Sequence, residues 1–206
     1  MTAREVLVVP ARLERWVDNF VARHGEAELA VVAGHLTGRA ADGSTFEAAP
    51  PFAASYDGPA DPAVFAASCT PPARWGVLLV RKGGFAVARL QGEQIVESKV
   101  GQRHVQGRTK AGGQSQQRFS RRRDNQARVA YEAAAGHAHR ILTRPLAAVV
   151  CGGDHQAVEQ VLEDPHLRHL AEVRVDPWLA VPDPRRAVLE QAVADACSVA
   201  VEVTNA

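Results

Sequence analysis

Apolar positions first recur at helical spacing over residues 10–24. Leu13, Trp16 or Val17, Phe20 and Val21 make one stripe, Gly25 supplies a stop, and the pattern predicts a helix. Short apolar runs at 29–33 and 45–48 predict strands around an Asp42-Gly43 turn. Residues 50–74 are rich in Pro and Ala and suggest a connector with one short helix near 61–68. Beyond residue 74 the pattern sharpens. Runs at 76–81, 85–90 and 94–100 alternate with Gly83-Gly84 and Gln91-Gly92, the punctuation of a three-stranded meander. Residues 101–114 follow with no periodicity, and a polar connection of that length is usually functional or disordered.

A long helix is predicted next. Phe119, Arg122, Gln126, Ala130, Ala134, Ala138 and Leu142 lie on one stripe, Ala127, Tyr131 and Ile141 widen it, and Pro145 ends it. Residues 146–151 suggest a buried strand, Gly152-Gly153 a turn, and Asp154 the cap of a helix to about 162. A short strand at 172–175, a helix opened by Asp183-Pro184 and running to about 197, and a last strand at 199–203 complete the order. Strands and helices so interleaved predict an α/β (α+β) fold, a mixed sheet with helices packed on it. The expected organisation is an N-terminal helix with short strands over 1–70, packed on a larger domain over 74–203, as one compact unit. No internal repeat is present.

Composition narrows the class. The chain has 206 residues, 46% of them hydrophobic and 23% charged, enough to build a core and inconsistent with disorder, collagen or coiled coil. No apolar run approaches the roughly 20 residues that a membrane-spanning helix needs. The first residues carry no apolar stretch ending at a small-residue cleavage site, so secretion is not expected. Cys69, Cys151 and Cys197 are odd in number and form no CxxC pair, which favours a reducing, cytoplasmic setting over a disulfide framework or a cysteine zinc site.

Charge changes the picture more. The net charge is only +1, but residues 99–128 hold nine basic residues and one acid, Asp124. That strip carries +8 and the remainder of the chain −7. A cationic strip on an otherwise acidic chain points to a polyanionic partner at one place. Within it stand Arg108, Lys110, the tripeptide Gly112-Gly113-Gln114, then Arg118, Arg121, Arg122 and Arg123 at the start of the predicted helix. Cations in the first turns of a helix oppose its dipole at about 0.3–1 kcal/mol each, so folding alone does not account for them, and phosphate binding does.

By itself Gly-Gly-Gln carries little information. Its setting carries more: Gly112-Gly113-Gln114-Ser115, then Gln116 and Gln117, then Arg118-Phe119, then the arginine-rich start of a long helix. This arrangement, with the upstream meander from Trp75 to Gly92, resembles the middle domain of the class I release factors of eukaryotes and archaea. The similarity covers about residues 74–203 and is closest to the Vms-like release factors of ribosome quality control, in their actinobacterial branch. Some of those carry Gly-Ser-Gln at the tip; this chain carries Gly-Gly-Gln. The resemblance implies a ribonuclease-H-like domain with a long basic loop. It also implies a peptidyl-tRNA hydrolase acting on stalled ribosomes or large subunits, with peptidyl-tRNA and large-subunit RNA as partners.

In that chemistry Gly112 and Gly113 let a strand without side chains enter an RNA-walled site. Gln114 presents a backbone N–H to a developing oxyanion and an amide to a water. Glutamine has no useful pKa and cannot be a general base, so much of the catalysis would belong to ribosomal RNA. Arg108, Lys110, Arg118, Arg121, Arg122 and Arg123 are the expected RNA contacts. Gln116 is a second candidate for the catalytic glutamine. Two other readings stay open: a nuclease-like factor cutting tRNA near its 3′ end, and a non-catalytic ribosome- or RNA-binding factor. No protein partner can be named from the residues.

No cofactor or metal is expected. His137 and His139 are two apart on a helix and diverge, and His166 and His169 lack an evident third ligand. Gly152-Gly153-Asp154 is turn and cap chemistry, Cys151 ends a buried run, and Trp16, Trp75 and Trp178 are expected as core or interface anchors.

Overall fold

The fold comes from a computed structural model, which describes residues 3–102 and 114–206, with side chains described for 3–102 and 128–206. The chain divides into two compact units, residues 1–71 with 194–206, and residues 72–193.

The first unit is a five-stranded antiparallel sheet with two helices. Its elements are β1 (Ala3–Val8), α1 (Leu13–His24), β2 (Ala27–Val32), β3 (His35–Ala40), β4 (Thr45–Ala49), α2 (Pro62–Ser68) and β10 (Val199–Thr204), in strand order β1-β10-β4-β3-β2. The predicted stripe of α1 buries Leu13, Val17 and Phe20, and Phe20 meets Phe46 of β4 edge-on at 5.1 Å. Asp61 caps α2, accepting from the amides of Ala63 and Val64, and Pro62 occupies the first helical position. Phe65, Leu36 and Val201 close this core.

Two strands have no counterpart in the local pattern. β3 reads His-Leu-Thr-Gly-Arg-Ala, with a glycine inside; Gly38 is there because a Cβ would lie 2.2 Å from the Phe46 ring. β1 is a strand through pairing with β10, register Val6↔Val201. The final strand pairs with β1 and β4, not with the meander. The predicted mixed sheet therefore loses its last strand to the first unit, and two cores stand where one was expected.

The second unit holds β5 (Trp75–Arg81), β6 (Gly84–Gln91), β7 (Gln94–Gln102), α3 (Gln114–Ile141), β8 (Ala148–Gly153), α4 (His155–Leu162), α5 (Arg168–Ala171), β9 (Arg174–Leu179) and most of α6 (Arg186–Ala196). The strand order is β7-β6-β5-β8-β9. The meander β5-β6-β7 is antiparallel, and β8 and β9 run parallel to β5. It is the predicted mixed α/β sheet with helices packed on it. β5 is buried from Trp75 to Val80, which is why it reads as a continuous apolar run without alternation. Asp154 caps α4 through the amide of Ala157, as its position suggests. α6 begins at Arg186, two residues after Pro184; Asp183 lies 3.5 Å from Arg81.

Two glycine substitutions test this packing. A Cβ on Gly152 would lie 2.4 Å from the carbonyl oxygen of Leu179, where β8 meets β9. Gly152→Ala is expected to cost about 1–3 kcal/mol in urea unfolding. Gly136, in α3, has open space around its missing Cβ, and Gly136→Ala is expected to stabilise by about 0.4–1 kcal/mol in the same measurement.

Candidate functional site

Gly112 and Gly113, with Arg108 and Lys110, lie outside the described residues. Gln114 is the first residue of α3, and positions 116, 118, 121, 122 and 123 follow within that helix; their side chains lie outside those described. Of the connection predicted over 101–114, Gly101 and Gln102 belong to β7 and Gln114 to α3. The Gly-Gly-Gln tripeptide therefore abuts the N-terminus of a 28-residue helix, about 42 Å long. No acid occupies the first turn of that helix.

The strand before residues 103–113 and the C-terminal part of the helix after them are packed into the second unit. On the helix side, Ala130, Ala134, Ala135 and Ala138 are buried, and Ile141 and Leu142 are 2% and 0% exposed. They pack with Leu78, Val87, Val149 and Val158. The small alanines let the helix lie close to the sheet. Gly76 completes the fit, because a Cβ there would fall 2.5 Å from Leu142 Cδ2.

On the strand side, the two faces of β7 are secured separately. Gly101 pairs with Phe85 of β6, and a Cβ on Gly101 would sit 2.3 Å from the Phe85 ring. Phe85 in turn stacks on His137 of α3, ring centroids 5.4 Å apart. One buried phenylalanine thus links the strand that enters 103–113 to the helix that leaves it. Burial, then the charges of Arg140 and Lys99, hold the His137 imidazole below its usual pKa. Residues of alternate parity face the other way. There Ser98 Oγ accepts from Arg186 Nη1 at 3.0 Å, and Gln102 Nε2 donates to Pro184 O at 3.5 Å.

The remaining chemistry-bearing side chains are accounted for by packing. Cys151 is 2% exposed and burial pushes its thiol up to about 12; Cys69 is pushed up to about 11 for the same reason. Neither supplies a thiolate. His169 approaches the Leu142 carbonyl at the end of α3, Nε2 to O 3.1 Å, and His139 lies beside His166. Trp75 is buried and donates to Gly92 O at 2.7 Å, Trp16 packs edge-on against Phe46, and Trp178 lies flat on His155. Among the described residues no three His, Cys, Asp or Glu side chains are grouped to hold a metal, and no helix is long and apolar enough to cross a membrane.

A groove of about 680 Å³ runs between α3 and α4. Its lining holds the carboxylates Glu132, Asp154, Glu163 and Asp164 against two cations, Lys82 and Arg128, and Arg128 already pairs with Glu132. Neither this acidic flank nor the Gly101–Phe85–His137 stack is visible in the sequence, because the first joins α3 to α4 and the second joins three elements.

The stack has a direct test. Gly101→Ala is expected to cost about 1–3 kcal/mol and to speed amide exchange at the end of β7. Phe85→Leu in the same chain, by removing the ring, should recover part of both effects. Additive effects of the two changes would show that they do not share this contact.

Comparison with known proteins bears on the same stretch. A family model described as "Actinobacteria/chloroflexi VLRF1 release factor" matches residues 73–202. A solved structure described as "Archaeal protein" aligns at 12% identity and a TM-score of 0.32, over 94% of this chain and 66% of that one. The present chain thus spans about 66% of the length of that structure. No curated protein matches the chain.

Proposed function

The chain belongs to the Actinobacteria/chloroflexi VLRF1 release factor family, and we propose that it hydrolyses peptidyl-tRNA on stalled ribosomes or large subunits through Gly112, Gly113 and Gln114. Membership itself implies a release function at the ribosome, with ribosome and tRNA as partners. The observation that carries the finer reading is that α3 begins at Gln114, directly after the two glycines. A residue at the first position of a helix has a backbone N–H with no partner four residues back. Such a donor, at the positive end of the helix dipole, suits a developing oxyanion or a leaving 3′-hydroxyl. The side-chain amide of Gln114 would position the water, while the RNA surroundings supply the rest.

The anchored stems support this reading. A catalytic strand that must reach into an RNA-walled site needs a fixed origin, and the buried half of α3 and the secured end of β7 provide one. Arg108, Lys110, Arg118, Arg121, Arg122 and Arg123 would meet the phosphates there. The net +8 of residues 99–128 gives the long-range attraction to the polyanion.

The deciding measurement is release of labelled peptide from peptidyl-tRNA on purified large subunits. Gln114→Ala should slow release at least about tenfold, equivalent to ~1.4 kcal/mol of transition-state stabilisation, with binding nearly unchanged. Gly113→Ala should also be damaging, because a Cβ restricts φ and thickens the strand. Gln116→Ala should be mild; if it abolishes release and Gln114→Ala does not, the catalytic glutamine is Gln116. If neither change matters, the non-catalytic binding reading replaces the hydrolase.

A second expectation concerns affinity. Replacing Arg121, Arg122 and Arg123 together by Gln should weaken ribosome binding. It should also flatten the salt dependence by about 0.7–0.9 log units for each phosphate no longer neutralised. Thermal stability should hold or rise slightly, because a conflict with the helix dipole is relieved. A large drop in melting temperature would show instead that these residues pair with acids inside the fold.

A further inference from the structure

We propose that the flank of α3 facing β7, formed by Arg74, Arg89, Lys99, His137 and Arg140, is a second RNA-binding surface that takes the phosphodiester backbone of an RNA strand. The proposal rests on the release-factor reading for its partner class and extends it to residues outside the arginine-rich helix start.

The register places these side chains together. Phe85, Val87 and Arg89 of β6 face the α3 core, since Phe85 and Val87 belong to it. Their partners on β7 are Gly101, Lys99 and Glu97, so those three share the same face. Gly76, opposite Arg89, lies under Leu142 at the end of α3, and Arg74 two residues earlier donates to Thr143 Oγ1 at 3.2 Å. Arg140 contacts His137, whose ring stacks on Phe85. The surface therefore starts at the stem of residues 103–113 and follows β7 and the end of α3 away from it. From Gly101 to Glu97 that is about 13 Å along the strand.

The positive charge on this flank exceeds what the fold's own contacts use. Four cations, Arg74, Arg89, Lys99 and Arg140, stand here among the described residues beside the carboxylate of Glu97, which accepts from Arg89 at 3.2 Å. The Nε groups of Arg74 and Arg89 are buried without a hydrogen-bond partner among the described residues, an unfavourable arrangement for a charged donor. Arg140 and Lys99 both lie near enough to His137 for their charges, after burial, to lower its pKa. Arg74 reaches Thr143, Arg89 pairs with Glu97, and Arg140 in the last turn of α3 complements the helix dipole, so each of the three has one structural contact and charge left over for a partner. A polyanion would offset the rest.

The other flank of α3 sets the direction. Its groove toward α4 is lined by four carboxylates and two cations and would repel a phosphate backbone. Among the described residues one side of this helix is cationic and the other acidic, which favours the β7 side for an RNA strand.

The test is the salt dependence of binding to a fluorescein-labelled acceptor-stem minihelix RNA, using the full chain. Lys99 and Arg140 are both exposed, so their replacement by Gln should leave the fold intact. The double variant Lys99→Gln/Arg140→Gln is expected to lower the slope of log K against log salt by about 1.4–1.8, two phosphates at 0.7–0.9 each. Each single variant should give about half of that, which serves if the double variant unfolds. Lys82→Gln, on the acidic flank, should leave the slope unchanged. An unchanged slope for Lys99→Gln/Arg140→Gln, beside a reduced slope for the Arg121, Arg122 and Arg123 replacements, would overturn this surface and leave the release-factor reading intact. Unchanged slopes in both sets would remove the RNA reading itself. Equal binding of poly-glutamate and of the minihelix would also overturn the proposal, since it would show a general anion surface. Peptide release by Gln114→Ala is measured alongside, so that failure of the hydrolase reading stays separate.

Discussion

Everything that positions the Gly-Gly-Gln tripeptide depends on the seating of α3 against the second sheet. The contact is made by small residues. Ala134 and Ala138 are fully buried, and Gly76 beneath Leu142 leaves room that even one methyl would fill. Alanine adds little apolar area, so much of the burial comes from Ile141, Leu142 and the valines of β6, β8 and α4. What the alanines contribute is proximity, together with the best intrinsic preference for helix. A helix of about 42 Å is thereby fixed over its last third, and its first residue, Gln114, acquires a defined origin in the fold.

The second stem is fixed by a different kind of fit. Gly101 lies in regular strand, and its lack of a side chain serves the Phe85 ring, not an unusual backbone conformation. The ring passes the constraint to His137. The strand entering 103–113 and the helix leaving it therefore share one buried contact, while Pro184 and Arg186 hold the other face of β7. Rigid stems around a connecting segment are what a catalytic strand needs, because binding energy used to order the stems is not available to the transition state.

Electrostatics follow the same geometry. α3 separates a cationic flank along β7 from an acidic groove along α4. Of the strip at 99–128, Lys99 stands on the same face as Arg89, and Arg74 reaches the end of α3 beside Thr143, a grouping that the sheet creates from segments distant in sequence. The balancing negative charge lies partly on the far side of the same helix. A near-neutral total is therefore compatible with a strongly oriented approach to RNA.

The sequence by itself determined most of the elements and the family. Local periodicity predicts α1 and the meander, a cap residue predicts α4, and a short helix is expected where α2 stands. The resemblance to release factors is legible in the sequence, and the family match over 73–202 bears out that membership. These signals are local: a helical stripe, a cap or a charge run is complete within a few residues. What the tertiary structure decided is which distant segments share a surface. β10 is legible as a strand, but only pairing with β1 and β4 puts it in the first unit. Asp183 reads as a helix cap and is instead the partner of Arg81. Gly38, Gly76 and Gly101 are places where a ring or a leucine occupies the space of a side chain. The reason is common to all of them: a strand's partners and a glycine's neighbours are set by long-range packing, and no residue carries that information within its own stretch of chain.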